Sequence, residues 1–451
     1  MFIQFSVENY RSFKDTVTFS MLAHPPIKEH ENETHSHVFY DPSKKIKLLK
    51  SSAIYGANGS GKSNLIAAMS FFKKFIVTSF TEQQVDAPIE VIPFALSAET
   101  LTQTSNFEMV FCIDNTRYRY GFKANAQKVQ TEWLFALKND SAAKETKLFT
   151  RNLQSFSINT KQFKEAKGIA DRTRPNVLFL STIAQFNGAI ATQIVQWFKH
   201  DLGIIFQLDD SILFYTIEKL KNDATFKTKV MQFFSAIQIG FDDIVVTDRE
   251  PTMDNYLKNI LSVPSLINEQ LQVDVSKIMQ VAENTKAVRI TTKHAIHDAM
   301  GEIVEYKDLP FEWQSRGTEK LFGLLGPIID AIENGRTLVV DEFDSRLHTL
   351  LTIELIQFFH TKGNKKAQLI VASHDTNLLR KELFRRDQIW FAEKKPTHAT
   401  DLYSLVEYKI DQAKIRNDAS FEKDYLAGKY GAIPFLGNIQ QFKKDFLDEQ
   451  N

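Results

Sequence analysis

Eight consecutive residues near the N-terminus have the types and spacing of a phosphate-binding loop. The run Gly-Ala-Asn-Gly-Ser-Gly-Lys-Ser at 56–63 matches the pattern G-x-x-x-x-G-K-[ST]; a glycine-rich turn before a helix is the alternative. In the pattern, backbone N–H groups and a helix N-terminus surround the phosphates. Lys62 would reach the β- and γ-phosphates, and the Ser63 hydroxyl would bind Mg²⁺. The predicted nucleotide-binding residues here are Gly56, Ala57, Asn58, Gly59, Ser60, Gly61, Lys62, Ser63 and Asn64.

An acidic pair, Asp341 and Glu342, follows the short apolar run Thr337–Val340. Such a run is typical of a buried parallel strand whose carboxyl end carries the acids. Asp341 would hold Mg²⁺ directly or through water, and Glu342 would act as the general base that polarises the attacking water. The alternative is a plain strand followed by a turn, and the phosphate-binding loop favours the catalytic interpretation.

The stretch Ser-Arg-Gly-Thr at 315–318 precedes an apolar series with helical spacing. Pro327 inside this series predicts a kink. Ser315, Gly317 and Thr318 would lie at the helix N-terminus, where N–H groups and the helix dipole favour an anion. The same residues also suit an ordinary Ser/Thr N-cap, and the stretch alone does not choose between these interpretations.

A further apolar run, Leu369–Ser373, has the character of a buried strand and ends at His374. The imidazole of His374 could contact a γ-phosphate or the charge that develops when the phosphate is transferred. A structural histidine at the end of a strand is the alternative.

The composition is that of an ordinary globular chain and excludes several classes of protein. The 451 residues carry 55 basic and 55 acidic side chains, which argues against a dominant, strongly basic nucleic-acid surface. The length suggests roughly three domains, and no apolar stretch is long enough for a membrane span. The single cysteine excludes an intrachain disulfide and fits the cytoplasm. The 37 phenylalanines indicate aromatic core packing.

The elements that must position these residues follow from the periodicity of the chain. Residues 1–20 predict two short strands, and residues 22–47 predict a loop. A strand–loop–helix unit spans 51–76, and alternating residues predict antiparallel strands from 91 to about 129. The stretch 310–392 alternates helices with short apolar strands, which is typical of a largely parallel sheet.

The order and spacing of the four motifs resemble the ABC-type ATPase head, in the branch shared by the SMC and RecF proteins. The resemblance implies an α/β fold with a mixed sheet, an antiparallel β subdomain and a helical insertion. It also implies that Lys62, Glu342 and His374 are catalytic, and that two chains form a head-to-head dimer with two ATP molecules between them. The implied regions are lobe I at 1–190, a mostly helical insertion at 191–290, and lobe II with the C-terminal tail at 291–451.

The signature motif of that family is matched only in part. Its serine corresponds to Ser315, which in the family covers the γ-phosphate bound by the other subunit, and its second glycine corresponds to Gly317. The family's leading leucine, first glycine and closing glutamine are replaced here, and so is the aspartate of the D-loop. The replacing residues are Gln314, Arg316, Thr318 and His348.

Two further site predictions also come from the resemblance. Gln185 follows the strand-like stretch Val177–Leu180 and is our candidate for the Q-loop glutamine that binds the metal ion, with a surface amide as the alternative. The turn at 9–13, Asn-Tyr-Arg-Ser-Phe, resembles the turn that lines the adenine in SMC-like heads. Arg11 and Ser12 would then contact the nucleotide, and a simple turn between strands is the alternative.

A narrower resemblance covers nearly the whole chain and points to bacterial RloA-type ATP-binding proteins, to which AriA of the PARIS system is similar. It implies a sensor or scaffold of an antiphage, abortive-infection system, with a TOPRIM-like nuclease as a separate effector and a phage protein as a trigger. We find no HNH, HEPN or TOPRIM pattern in this chain. The alternative is a RecF-like DNA-repair ATPase that binds DNA, against which the neutral charge counts. The resemblance lies in residues 5–14, 54–63, 315–318, 341–348, 387–391 and 425–434.

Overall fold

The structure is a computed structural model, and it describes most of the chain. The described residues are 1–25, 27, 34–41, 46–138, 144–206, 210–249, 287–407, 420–434, 437 and 439–448. The chain divides into two compact units, one formed by Met1–Leu208 with Ile328–Asn451 and the other by Asp209–Pro327. No helix in the described stretches has the length and apolar character that crossing a bilayer requires. The three regions expected from the sequence, 1–190, 191–290 and 291–451, stay a prediction.

The chain combines series of consecutive strands with stretches in which strands and helices alternate, as they do from residue 316 to residue 372. The strands are β1 (Phe2–Glu8), β2 (Val17–Ser20), β3 (Val38–Asp41), β4 (Ile46–Leu49), β5 (Ser51–Tyr55), β6 (Ser105–Ile113), β7 (Thr116–Ala124), β8 (Val129–Lys138), β9 (Thr146–Asn152), β10 (Ser155–Ile158), β11 (Leu202–Ile205), β12 (Asp243–Arg249), β13 (Ala287–His297), β14 (Ile303–Pro310), β15 (Thr337–Val340), β16 (Gln368–Ala372), β17 (Ile389–Lys394) and β18 (Thr400–Ser404). The α-helices are α1 (Lys62–Glu82), α2 (Phe179–Gln185), α3 (Ala189–Gln196), α4 (Asp210–Asn222), α5 (Ala224–Ala236), α6 (Arg316–Asn334), α7 (Thr349–His360), α8 (Phe421–Leu426) and α9 (Ile439–Asp448).

A seven-stranded antiparallel sheet belongs to the first unit, in the order β10-β9-β8-β7-β6-β1-β2. Its strands alternate buried with more exposed residues, as β6 shows over most of its length, because only one face of such a sheet packs on the core. The expected strands in 1–20 and 91–129 are confirmed. The stretch 22–47, expected to be a loop, contains β3 and the start of β4, which pair as a hairpin.

A six-stranded sheet positions the candidate site, in the order β11-β15-β16-β5-β17-β18. Its first five strands are parallel, and β18 runs antiparallel at one edge. Every residue of β5, β15 and β16 is buried, which is typical of parallel strands covered on both faces. The predicted parallel sheet is confirmed. Because β15, β16 and β5 are neighbours, the residues that follow them meet at one edge of the sheet.

Helix α1 anchors the core of the first unit. Its buried face includes Leu65, Ile66 and Met69, together with Phe72. The Phe72 ring lies 5.3 Å from the Phe122 ring of the antiparallel sheet, in a stacked arrangement. The aromatic core predicted from the phenylalanine content is confirmed for these residues, and it fixes the helix whose first turn follows the phosphate-binding loop.

The second unit combines α4 and α5 with the three-stranded antiparallel sheet β12-β13-β14 and the first part of α6. Phe234 of α5 stacks on Phe322 of α6, with 6.3 Å between the ring centres. The strands predicted at 287–292 and 303–306 are present in β13 and β14. Helix α6 continues through Pro327. Helix α3 and strand β11, which fall in the range expected to be a helical insertion, belong to the first unit.

Candidate nucleotide-binding site

The loop between β5 and α1 depends on three glycines with positive φ. The φ angles are 152° at Gly56, 75° at Gly59 and 114° at Gly61, values that residues with a Cβ rarely adopt. A Cβ added at Gly61 would overlap the Thr400 side chain, and one at Gly56 would overlap the Ala392 carbonyl. The glycines therefore allow the loop to pack directly against β17 and β18.

The start of α1 has the groups that a phosphate needs. Its N-cap is Gly61, which offers no side chain to the first backbone N–H groups, and these groups have no acceptor within the helix. The Ser60 hydroxyl is buried and has no hydrogen-bond partner among the described residues. Buried polar atoms are normally paired. An unpaired hydroxyl beside an uncapped helix N-terminus therefore fits a bound anion.

The side chain of Lys62 turns back toward the first residues of the loop. Its ammonium group donates to the Gly56 carbonyl at 2.6 Å and to the Ala57 carbonyl at 3.2 Å. Burial lowers the pKa of Lys62 to about 8, and the nearby acids, Asp341 first among them, oppose that shift. The side chain is therefore still mostly protonated at neutral pH and can exchange its carbonyl partners for phosphate oxygens.

A cavity of about 700 Å³ opens at this edge of the parallel sheet and brings half of the predicted site residues together. The loop forms one side of its lining, and residues that follow β15 and β16 form the other. The lining residues are Asn58, Gly59, Ser60, Gly61, Lys62, Ser63, Asn64, Glu342, Asp344, Ser345 and His374. The predicted residues Gly56, Ala57 and Asp341 are next to lining residues in the sequence but do not line the cavity themselves.

The acidic pair takes two different positions. Asp341 is buried, and burial raises the pKa of its carboxyl group, while a hydrogen bond with the Ser63 side chain opposes that shift. Two of the three predicted magnesium ligands, Ser63 and Asp341, are thus neighbours in the structure. Glu342 has a φ of 48°, which is uncommon for a residue with a Cβ, and its N–H donates to the Asp341 carboxylate at 3.1 Å. This turn brings the Glu342 carboxylate to the cavity.

His374 lies beside the acids, on the side of the cavity opposite the loop. Its backbone N–H donates to the Asp344 carboxylate at 3.1 Å, which fixes the end of β16. Burial, and after it the charge of Lys62, lowers the pKa of His374, and the acids Asp344, Glu342 and Asp341 oppose that shift. The imidazole is therefore neutral at neutral pH and can donate a hydrogen bond without adding a charge.

A comparison with known protein families shows to which family this chain belongs. Residues 51–380, more than half of the chain, match the family model described as AAA domain, putative AbiEii toxin, Type IV TA system. The chain belongs to this family. The parallel sheet with its phosphate-binding loop and acidic pair, joined to an antiparallel sheet, is the fold of an ABC-type P-loop ATPase head, so the predicted fold class is confirmed.

Two solved structures show a more distant likeness to this AbiEii-type AAA protein. One is an SMC head bound to the C-winged helix domain of ScpA, with 12% sequence identity, a TM-score of 0.38, and coverage of 89% of this chain and 97% of that chain. The other is the SMC head domain from Thermotoga maritima, with 14% identity, a TM-score of 0.36, and coverage of 89% and 98%. No curated protein matches the chain.

The turn at 9–13 of the AbiEii-type AAA protein supports the loop from behind. The Ser12 hydroxyl accepts a hydrogen bond from the Asn64 amide at 2.8 Å and lies 2.8 Å from the Thr400 hydroxyl. The Thr400 hydroxyl also donates to the Ser60 carbonyl at 2.7 Å. The Arg11 guanidinium lies over the Phe206 ring. Neither Arg11 nor Ser12 lines the cavity, and their predicted contact with the nucleotide stays a prediction.

The structure does not bring Gln185, the predicted metal ligand, to the cavity. Gln185 ends α2, and the next residue, Phe186, packs on Phe80 with 6.3 Å between the ring centres. Phe80 belongs to the last turns of α1. At about 1.5 Å per residue, Phe80 lies roughly 27 Å along the helix axis from Lys62. The stretch before Gln185, expected to be a strand, is a turn that leads into α2.

Strand β11 is the element of the site that the sequence did not reveal. It pairs with β15, and its last residue, Ile205, accepts a hydrogen bond from the Asp341 N–H at 2.9 Å. The carboxyl end of β11 therefore lies beside the acidic pair. The run is only four residues long and stands within a helical pattern, which concealed it. Gln207 comes two residues later in the sequence, outside the described residues.

The predicted signature residues lie in the second unit, at the start of α6. The Ser315 hydroxyl accepts a hydrogen bond from the Thr318 N–H at 3.1 Å, so the N-cap interpretation is confirmed. Ser315 and Arg316 are exposed, and Gly317 lies in the first turn. The contact of this turn with a nucleotide on another subunit stays a prediction.

Proposed function

We propose that this chain binds ATP together with Mg²⁺ and hydrolyses it. The observation that carries the proposal is the single cavity lined by the phosphate-binding loop, Glu342 and His374. Its volume of about 700 Å³ is in the usual range for small-molecule sites. The membership in an AAA family supports the same assignment.

The residues of the loop provide the binding contacts. Lys62 and the N–H groups at the start of α1 would bind the phosphate oxygens, because an ammonium group binds a negatively charged oxygen more strongly than it binds the uncharged carbonyls that it contacts here. Ser63 and Asp341 offer the oxygen ligands that Mg²⁺ prefers. The ion held there would neutralise charge on the β- and γ-phosphates.

The acids and His374 provide the hydrolytic step. Glu342 accepts a proton from a water molecule as the water oxygen attacks the γ-phosphorus, and the bond from that phosphorus to the ADP oxygen breaks. Lys62 and His374 donate hydrogen bonds to the γ-phosphate oxygens, which carry negative charge through the transition state. The role of each residue is thus distinct and separable by substitution.

ATP turnover by the full chain tests these roles. Lys62→Ala is expected to lose ATP binding, and Glu342→Gln is expected to keep binding and lose roughly hundredfold or more in kcat, because the amide cannot act as a base. Lys74→Ala and Glu90→Gln are matched controls, since this exposed pair lies away from the cavity. Equal turnover in the wild type, Lys62→Ala and Glu342→Gln would contradict the mechanism.

The proposal extends to the cellular role. ATP binding closes a head-to-head dimer in which Ser315 of each chain covers the ATP of the other, and hydrolysis opens it. This cycle makes the chain the sensor or scaffold of an antiphage system that controls a separate nuclease or toxin. The family description, which names a putative AbiEii toxin and a type IV TA system, supports the proposal. The lack of a nuclease motif in this sequence supports a separate effector.

Phage plating tests the cellular role. Cells that carry this gene with its native neighbours are expected to resist phage, and Lys62→Ala is expected to remove the protection while Lys74→Ala keeps it. An adjacent TOPRIM-like reading frame would identify the effector. No effect on plating, combined with ATP-dependent affinity for DNA ends and a steep salt dependence, would replace this role with DNA repair.

A further inference from the structure

The segment Ser420–Pro434, which we name the C-terminal clasp, lies directly against the phosphate-binding loop. It consists of α8 followed by a turn, and the Ala57 N–H donates to the Ala432 carbonyl at 2.9 Å. Ala57 is the second residue of the loop. The site therefore includes a backbone contact with a part of the chain that no phosphate-binding pattern contains.

Hydrogen bonds from three elements hold the turn of the clasp in place. The Tyr425 hydroxyl donates to the Ala432 carbonyl at 3.0 Å, and the Ala432 N–H donates to the Glu393 carboxylate of β17 at 3.1 Å. The Tyr403 hydroxyl of β18 donates to the Tyr430 carbonyl at 2.7 Å. The Ala432 carbonyl, which contacts the loop, is thus held by the Tyr425 hydroxyl and by the hydrogen bonds of the adjoining backbone groups, the Ala432 N–H and the Tyr430 carbonyl.

Gly431 is the position at which the clasp and the sheet come closest. Its φ is 68°, and a Cβ there would lie 2.8 Å from both a Glu393 carboxylate oxygen and the Tyr403 hydroxyl. The following residue, Ala432, also has a positive φ, of 55°. A side chain at 431 would strain the backbone and push against the Glu393 carboxylate and the Tyr403 hydroxyl. These two groups hold the turn by hydrogen bonds, so the position of the Ala432 carbonyl would become less well fixed.

The peptide group between Gly56 and Ala57 connects the clasp to the catalytic lysine. Its N–H, that of Ala57, is bonded to Ala432, and its carbonyl, that of Gly56, accepts a hydrogen bond from the Lys62 ammonium group at 2.6 Å. Tyr425 keeps its proton for the bond to Ala432 because burial raises its pKa to about 12. A shift of the clasp therefore moves a peptide on which the position of Lys62 depends.

We propose that the C-terminal clasp is a positioning element of the nucleotide site, in which Gly431 and Tyr425 act through the Ala432–Ala57 hydrogen bond to set the affinity for ATP. This inference rests on the proposed ATP binding. Because coupling between two sites is reciprocal, bound ATP in turn stabilises the clasp.

Nucleotide binding and turnover of full-length variants test the proposal. Gly431→Ala is expected to raise the KM and Kd for MgATP by about fivefold or more, the effect of losing roughly one hydrogen bond, and to leave kcat within about twofold. Tyr425→Phe is expected to raise both constants by a smaller factor. Gly168→Ala, with a φ of 76° and no neighbour at its Cβ, and Tyr306→Phe, an exposed tyrosine of the second unit, are matched controls expected to bind ATP like the wild type.

Hydrogen exchange at backbone amides provides a second measurement. If the clasp had a purely structural role, ATP would not change its exchange rates. In the wild type, MgATP is expected to slow hydrogen exchange at the backbone amides of 425–434. In Lys62→Ala, MgATP is expected to leave the exchange rates of these amides unchanged. If Gly431→Ala fails to fold, Tyr425→Phe and the exchange measurement decide. Wild-type affinity in folded clasp variants, or exchange unchanged by ATP, would overturn this proposal and leave ATP binding intact. No ATP binding by the wild type would overturn both.

Discussion

At the scale of single residues, the charge of Lys62 governs how the site binds phosphate. The side chain is buried among its own loop carbonyls, and this burial lowers its pKa to about 8. Its charge is therefore lost within the accessible pH range, unlike that of a surface lysine. His374 stays neutral across the same range because burial lowers its pKa too.

The pH dependence of kcat/KM for ATP follows from that shift. The ratio is expected to stay level from neutrality to about pH 8 and then to fall, approaching tenfold per pH unit, because kcat/KM reports the free enzyme and only protonated Lys62 is charged. Lys62→Arg supplies the control, since arginine stays charged throughout. A profile of Lys62→Arg with the same fall above pH 8 would assign the titration to another group.

The residues of the site differ in how far the sequence could predict them. The phosphate-binding loop could be predicted in full because its roles lie in one contiguous pattern around Lys62. The support that Ser12 and Thr400 give to Asn64 and to the Ser60 carbonyl could not. These contacts join residues from three distant parts of the chain, and no short spacing encodes them.

At the scale of elements, segments with a clear pattern were predictable, and a segment with an ambiguous pattern was not. Strands β5, β15 and β16 are uninterrupted buried runs, and each is followed by a residue of the predicted site. Strand β11 is as short as β15, but it directly follows a π-helical turn and stands within a helical pattern. Its absence from the sequence interpretation led to Gln185, at the end of α2, as the metal ligand.

Substitutions of two glutamines test whether the residue that assists the metal ion follows β11 or ends α2. The carboxyl end of β11 lies beside Asp341, so we expect the glutamine that assists the metal to be Gln207, which follows β11 in the sequence. Gln207→Ala is expected to raise the Mg²⁺ concentration needed for half-maximal turnover by roughly tenfold. Gln185→Ala, the matched control at an exposed helix end, is expected to behave like the wild type in the same titration. The reverse result would restore Gln185.

At the scale of the whole molecule, the site draws on both ends of the chain. The turn at 9–13, the loop at 56–64, the residues after β15 and β16, and the C-terminal clasp all belong to the first unit. The narrower sequence resemblance included residues 425–434 but gave them no role. A contact made by backbone atoms does not require particular side chains, so the sequence does not reveal it. The predicted signature residues belong to the second unit, and in the proposed head-to-head assembly they would act on the ATP of the partner chain.

Light scattering of the full chain tests that assembly. In a Glu342→Gln background, which we expect to trap ATP, MgATP should convert the chain into a dimer that Lys62→Ala does not form. Ser315→Asn and Ser315→Asp separate capping from contact with the partner's phosphate, since Asn and Asp cap α6 comparably well. Ser315→Asp places a negative charge opposite the γ-phosphate and is expected to abolish the dimer, whereas Ser315→Asn should largely retain it. Equal dimerisation of both variants would remove Ser315 from the interface and limit its role to the N-cap seen in the structure.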